Sequence, residues 1–173
     1  MPKRDDDDVD IVIDAWATAL PDVDFAPLDI VSRLRRLLPH MQEVRRASFA
    51  MNNLRTWEFE FLSMLRQHGS EGMTPSTLAA RLHVTSGNLA SQLDRLAARS
   101  LVARQKNEAD ARSKIVVLTP LGRQRVDQAM RRLVDDENAI LADLSREQVN
   151  VLIESLRVIG NALDRADRPG TDS

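Results

Sequence analysis

The chain has 173 residues, 43% of them hydrophobic, and no cysteine. That is material for one well-cored domain with a helical appendage, and it excludes a disulfide framework, a zinc ribbon and a thiol nucleophile. The net charge of −2 points to no partner, but its distribution does: residues 81–125 hold nine Lys or Arg against three Asp or Glu, residues 1–30 two against nine, and residues 126–173 six against ten.

Asp5 to Asp8 form an acidic run that reads as a solvated, frayed terminus. The first ten residues, MPKRDDDDVD, lack the apolar stretch of a signal peptide, and no apolar run reaches the roughly 20 residues of a membrane span, so a soluble, cytoplasmic protein without a membrane partner is expected. Val9, Ile13, Trp16, Ala17 and Leu20 recur at helical spacing and predict a short amphipathic helix over 9–20, stopped by Pro21. PDVDFAP is a linker. From Pro27, a stripe of Leu28, Val31, Leu34, Leu38, Met41, Val44, Ser48 and Met51 predicts a long helix, with a kink or break near Leu38 because Pro39 lacks an N–H and crowds the preceding turn. Thr56 is placed to cap the next helix, with Phe59, Leu62, Met64 and Leu65 apolar and Gly69 at its end.

Thr74 followed by Pro75 opens a short helix to Leu82, His83 and Val84 make a tight turn, and Thr85 caps a second helix of about four turns that ends near Ser100. Leu101 to Gln105 and Ile115 to Leu118 read as strands joined by the polar loop Lys106 to Lys114. Thr119, Pro120 and Gly122 repeat the cap-and-proline device. Val126, Met130, Leu133, Val134, Ile140, Leu141 and Leu144 carry a helix to about Leu144. Ser145 caps a last helix, with Glu147 nearby, whose Val149, Leu152, Ile153, Leu156 and Ile159 form one apolar face to about Arg165. The terminal helices carry more apolar surface than so small a module can cover, which calls for a second copy of the chain.

Two helices joined by a tight turn and followed by a two-stranded loop suit a winged helix-turn-helix, whose second helix enters a DNA major groove N-terminus first. Near that end stand Thr85, Ser86, Asn88, Ser91 and Gln92. Asn88 and Gln92 lie one turn apart, and either amide can bond an adenine edge twice. Thr85 and Ser86 suit caps or phosphate contacts better than base readout. Gly87 disfavours a helix by about 1 kcal/mol relative to alanine, which fits either a close approach to DNA or ordinary packing. Arg95 suits a phosphate contact or an ion pair with Asp94. In the loop, Asp110 lies two residues before Arg112, a spacing at which the carboxylate can aim the guanidinium toward a narrow minor groove.

These residues, TPSTLAARLHVTSGNLASQLDRLAARSLVAR, then ADARSK with its D-x-R, then VVLTPLGR, resemble the MarR family of bacterial transcriptional regulators over roughly residues 50–130. Ser100 stands where family members often have glycine. The resemblance implies a homodimer with interlocking N- and C-terminal helices, and two winged modules on a pseudopalindromic operator. It also implies a small-molecule effector bound between the dimerisation helices and the DNA-binding lobe. Carried onto this chain, DNA contacts fall on Thr85, Ser86, Asn88, Ser91, Gln92, Arg95, Asp110 and Arg112. The chain also resembles the urate-responsive subgroup, which has an extra N-terminal helix; there Trp16, Glu60 and Arg104 fill three ligand-binding roles. Gln92 stands at the position of a further arginine, so it faces either DNA or the ligand.

The expected fold is therefore mainly α with a small β-wing, a winged helix-turn-helix with N- and C-terminal dimerisation helices. Its parts are N-terminal dimerisation helices over 1–53, the DNA-binding lobe over 54–122, C-terminal dimerisation helices over 123–165 and a disordered tail over 166–173. The expected function is that of a ligand-responsive regulator of transcription, a repressor, with double-stranded DNA as partner. The alternative is a winged-helix protein-interaction module without sequence-specific DNA binding. His40, His68 and His83 are scattered without metal-ligand spacing or a neighbouring nucleophile, and no Gly-rich phosphate loop is present, so neither an enzyme nor a cofactor or metal site is expected.

Overall fold

The computed structural model describes residues 7–107 and 113–166. The chain divides into two compact units, Met1–Leu133 and Val134–Ser173. The elements are α1 (Asp8–Ala19), α2 (Ala26–Ala50), α3 (Thr56–His68), α4 (Pro75–Leu82), α5 (Ser86–Ala98), β1 (Val102–Lys106), β2 (Lys114–Leu118), α6 (Pro120–Ile140) and α7 (Arg146–Ala166). This is a mostly helical chain with one small antiparallel sheet, as the sequence pattern predicts.

The described part of the acidic run is a cap, not a frayed end. Asp7 is the N-cap of α1: its Oδ1 accepts the backbone N–H groups of Val9 and Asp10 at 2.9 and 3.1 Å, while the Asp10 carboxylate accepts the Asp7 N–H at 2.9 Å. Arg33 of α2 then ties the two helices together, donating to Asp7 at 2.7 Å, Asp10 at 2.6 Å and, within its own helix, Asp29 at 2.6 Å. The bond from the Asp10 N–H, with help from that of Val9 and from Arg33 and Arg36, holds the Asp7 carboxyl below its ordinary range despite partial desolvation.

The expected break at Leu38 does not occur, for α2 runs unbroken through Pro39. A proline removes a single donor, and a helix of 25 residues keeps its bonds on both sides. The cap of α3 is also one residue earlier than expected. Arg55 occupies the N-cap and Thr56 is the first helical residue; Glu58 bonds the Arg55 N–H at 2.8 Å, so the carboxylate at the third position does the capping. At α7 the expected Ser145 cap is present, but Gln148, not Glu147, completes the reciprocal pair, at 2.8 and 3.2 Å. The helix α6 ends at Ile140, four residues short of the expected Leu144, and Ala166 is the last residue of α7. Residues 167–173 of the expected tail lie outside the described residues.

The core of the first unit joins α2, α3, the helix-turn-helix and the sheet. Phe49 stacks on Phe59 with ring centres 3.9 Å apart, beside Phe61, Leu62, Leu65, Met73, Leu78, Leu89, Leu93, Leu96, Val116 and Val126, all buried. Strands β1 and β2 pair in antiparallel register, with Val102 opposite Leu118 and Arg104 opposite Val116. Met73 adds a third edge through bonds of 3.0 and 2.8 Å to Val116. Gly72 precedes it with φ +72°, and a Cβ there would sit 2.6 Å from the Val116 carbonyl. Gly122 lets α6 approach equally closely, since its Cβ would fall 1.9 Å from the Leu101 carbonyl. The stripes of the outer helices stay exposed in the single chain: Leu28, Val31, Leu38 and Met41 on α2, Trp16 on α1, Met130 and Val134 on α6, and no residue of α7 is buried. Among the described residues no helix is long and apolar enough to cross a membrane.

Candidate nucleic-acid interface

The turn between α4 and α5 is built from local chemistry. His83 closes α4 in the left-handed region at φ +52°, and Val84 donates to the Ala79 carbonyl at 3.1 Å. Thr85 then starts α5 in extended backbone, its Oγ1 accepting the Asn88 N–H at 3.3 Å. The opening of α4 uses the same device: Thr74 Oγ1 accepts the Thr77 N–H at 3.2 Å and lies 3.0 Å from Ser76 Oγ and 2.9 Å from Thr77 Oγ1.

Leu89, Leu93 and Leu96 bury one face of α5. With 100° per residue, this forces the rest outward. Thr85, Ser86, Asn88, Ser91 and Arg95 are exposed, and Gln92 is half-buried at the edge. Thr85, Ser86, Asn88, Ser91 and Gln92 occupy the cap or the first two turns of α5, where the unsatisfied backbone N–H groups of a helix also lie, and Arg95 stands in the third turn.

A shallow cavity of about 380 Å³ beside α5 is lined by Pro75, Ser76, Ser86, Leu89, Ala90, Leu93, Arg104, Lys114 and Val116. Ser76 and Lys114 were not among the sequence candidates, yet they share this cavity with Ser86. The T-P-S-T opening of α4 carries the signal for Ser76; Lys114 reaches the site only through the pairing of β2 with β1.

The expected ion-pair partner of Arg95 is engaged elsewhere. Asp94 bonds Arg104 of β1 at 2.8 Å, whereas Arg95 lines a separate cavity of about 710 Å³ with Arg55, Trp57, Glu58 and Arg99. The three residues assigned to a ligand lie on three elements, Trp16 on α1, Glu60 on α3 and Arg104 on β1. Trp16 stacks on Phe25 at 6.4 Å. Glu60 faces clefts shared with Arg46 and Thr56, and Arg104 is held toward α5 by Asp94. Asp110 and Arg112 lie outside the described residues. The base of their loop is closed by Asn107, whose N–H donates to the Ser113 carbonyl at 3.2 Å and whose amide donates to Ser113 Oγ at 2.8 Å.

The histidines are spread over three helices and exposed, His40 on α2, His68 at the end of α3 and His83 at the end of α4.

Residues 56–114 match the sequence model of the MarR family. The chain is 28% identical to the HTH-type transcriptional regulator PecS of Dickeya dadantii over 142 residues, 82% of this chain and 86% of that one. It is 25% identical to the HTH-type transcriptional repressor YetL of Bacillus subtilis over 140 residues, 81% and 84% of the two chains. Among solved structures it superposes on a mutant MarR from E. coli complexed with operator DNA with a TM-score of 0.60 and 24% identity, covering 79% of this chain and 99% of that one. These relatives are named as regulators, not enzymes. Over its winged helix-turn-helix, from α3 to the start of β2, the chain is similar to the MarR family of regulators.

Proposed function

We propose that the chain is a DNA-binding regulator of transcription that acts as a homodimeric repressor on a pseudopalindromic operator and answers to a small-molecule effector. The observation that carries this is α5: one face locked into the core by three leucines, and a row of Thr85, Ser86, Asn88 and Ser91 left exposed at the helix's N-terminal end. The basic excess of residues 81–125 supports it, since it supplies the sequence-independent attraction that any DNA reader needs. Asn88 and Gln92 read bases, Thr85, Ser86 and Ser91 position the helix on phosphates, and Arg112, steadied by Asp110, enters the minor groove. Exposed apolar rows on α2, α6 and α7 support dimerisation by residues 1–53 and 123–165 around a lobe over 54–122. In such a dimer the two reading helices are spaced by about one DNA turn, 10–10.5 base pairs. The names of PecS and YetL as a regulator and a repressor, and the operator DNA bound to E. coli MarR, support the same reading.

Selection of random double-stranded DNA by the purified protein tests it. The expected product is one inverted-repeat site with half-sites one turn apart, bound with an affinity that falls steeply with salt. Recovery of unrelated sequences with no salt-dependent binding would reject the proposal.

A further inference from the structure

The turn between α2 and α3, residues 51–55, is the junction where a dimerisation helix meets the reading lobe, and it is held from two sides. Arg99, the C-cap of α5, donates from Nη1 to both Glu58 carboxylate oxygens at 2.5 Å and from Nη2 to the Asn53 carbonyl. From α6, Arg125 donates to the Asn52 carbonyl at 3.2 Å, and Asn52 in turn donates to the Ser48 carbonyl at 3.1 Å. Asn53 is held at φ +54°, in the left-handed region. Glu58 is 3% exposed and also accepts the Arg55 N–H, so its lone pairs are committed to α3's own start and to α5's end.

We propose that Glu58 and Arg99 are positioning residues that set the angle of the reading helix relative to α2, and through it the spacing at which paired lobes meet DNA. The inference rests on α5 being the reading helix. Its core leucines lie along one row and leave the helix a pivot about that row. The Glu58–Arg99 pair, 41 residues apart in sequence, removes that freedom at the C-terminal end, because a planar guanidinium that bonds a carboxylate and a carbonyl together has one orientation. Glu58 is buried while the Arg99 side chain is 34% exposed, and such a pair is weak as a stabiliser but strong as a geometric constraint. The consequence is a rigid lever: α2's end, the 51–55 turn and α5 move as one body.

The absence of cysteine makes the test direct. Spin labels at Gln42→Cys on α2 and Ala90→Cys on α5 report the distance distribution between the helices. The double variant Glu58→Gln/Arg99→Met keeps an acceptor for the Arg55 N–H and removes the clamp. Arg99→Lys keeps the charge and loses the fork. Both are measured well below their melting midpoints, so that the folded molecule alone is read. The expected result is a broader distance distribution in both variants, and loss of about tenfold of the discrimination between the selected DNA site and sites with one base pair inserted between half-sites. An unchanged distribution together with unchanged spacing preference, in variants that merely melt earlier, would overturn the proposal and leave the pair a structural contact. If the wild type selects no DNA, the reading of α5 falls, and the label distances still decide whether the clamp constrains it.

Discussion

Helices α5 and α7 are both amphipathic, but they meet their surroundings differently. The apolar row of α5 is covered by its own chain: Leu89, Leu93 and Leu96 are each no more than 3% exposed. The apolar row of α7 is longer, yet Leu152, Leu156 and Ile159 remain at least 40% exposed in the single chain. A polar face on a helix whose apolar face is already buried is available for a ligand such as DNA. An apolar face left open on a 21-residue helix asks for a protein surface instead. On the proposed function, the difference separates a reading role for α5 from an assembly role for α7.

Removing one leucine from each row tests the two helices most directly. Leu96→Ala empties a site that is fully buried, and should lower unfolding free energy by about 2–5 kcal/mol whatever the protein concentration. Denaturant titration at two concentrations decides it; a loss under about 1 kcal/mol would mean that the lobe collapses around the gap. Leu156→Asp should leave the lobe's own packing untouched and instead weaken self-association by about 100-fold, near the value of one leucine side chain taken out of water. Sedimentation velocity over a dilution series reads this, and an unchanged association constant would show that α7's row is covered by something other than a second copy.

A smaller effect is expected at the polar row. Asn88→Ala should relax preference at one defined position per half-site by about 1–3 kcal/mol while leaving binding to random DNA near the wild-type value. Equal losses on specific and random DNA would make Asn88 a phosphate contact. Smaller again is Ser100→Gly. Ser100 holds φ +55° just past α5, where glycine has no steric penalty, so the substitution should raise stability by about 1 kcal/mol. A lowered melting midpoint would show that the Ser100 side chain makes up for its backbone.

What could be read from the sequence divides along the same line. The helix-turn-helix was legible almost to the residue, with Thr74, Pro75 and Thr85 at their expected posts, because caps, prolines and leucine spacing act within a few residues of themselves. The exposed row on α5 followed from the same periodicity. One failure is local: Arg55, not Thr56, is the N-cap of α3, because the Glu58 carboxylate three residues on reaches back to its N–H. The others lie where distance in sequence is larger, as where that same carboxylate meets Arg99, 41 residues on. Likewise the Asp94–Arg104 pair, between α5 and β1, could not be read from the spacing of either residue. Lys114 joined the site only through strand pairing.

The smallest effect concerns α1, which has a buried anchor at one end, Val9, and a charge clasp around it. Asp7's folded value is depressed, chiefly by the Asp10 backbone N–H, so its contribution is fully present above its ordinary value of 3.8 and is lost as pH falls through the lower folded value. Docking of α1 on α2 should therefore be indifferent to pH from neutrality down to about 4, and loosen below it. In a Trp57→Phe background, Trp16 fluorescence reports the state of α1 without interference from the lobe. Asp7→Asn should place that signal near its acid value already at neutral pH, because an amide keeps the cap oxygen but gives Arg33 no charge to pair with. A variant indistinguishable from wild type at neutral pH would mean that Asp10 and Asp29 alone hold Arg33, and that the clasp is made within α2 and the first turn of α1 without its cap.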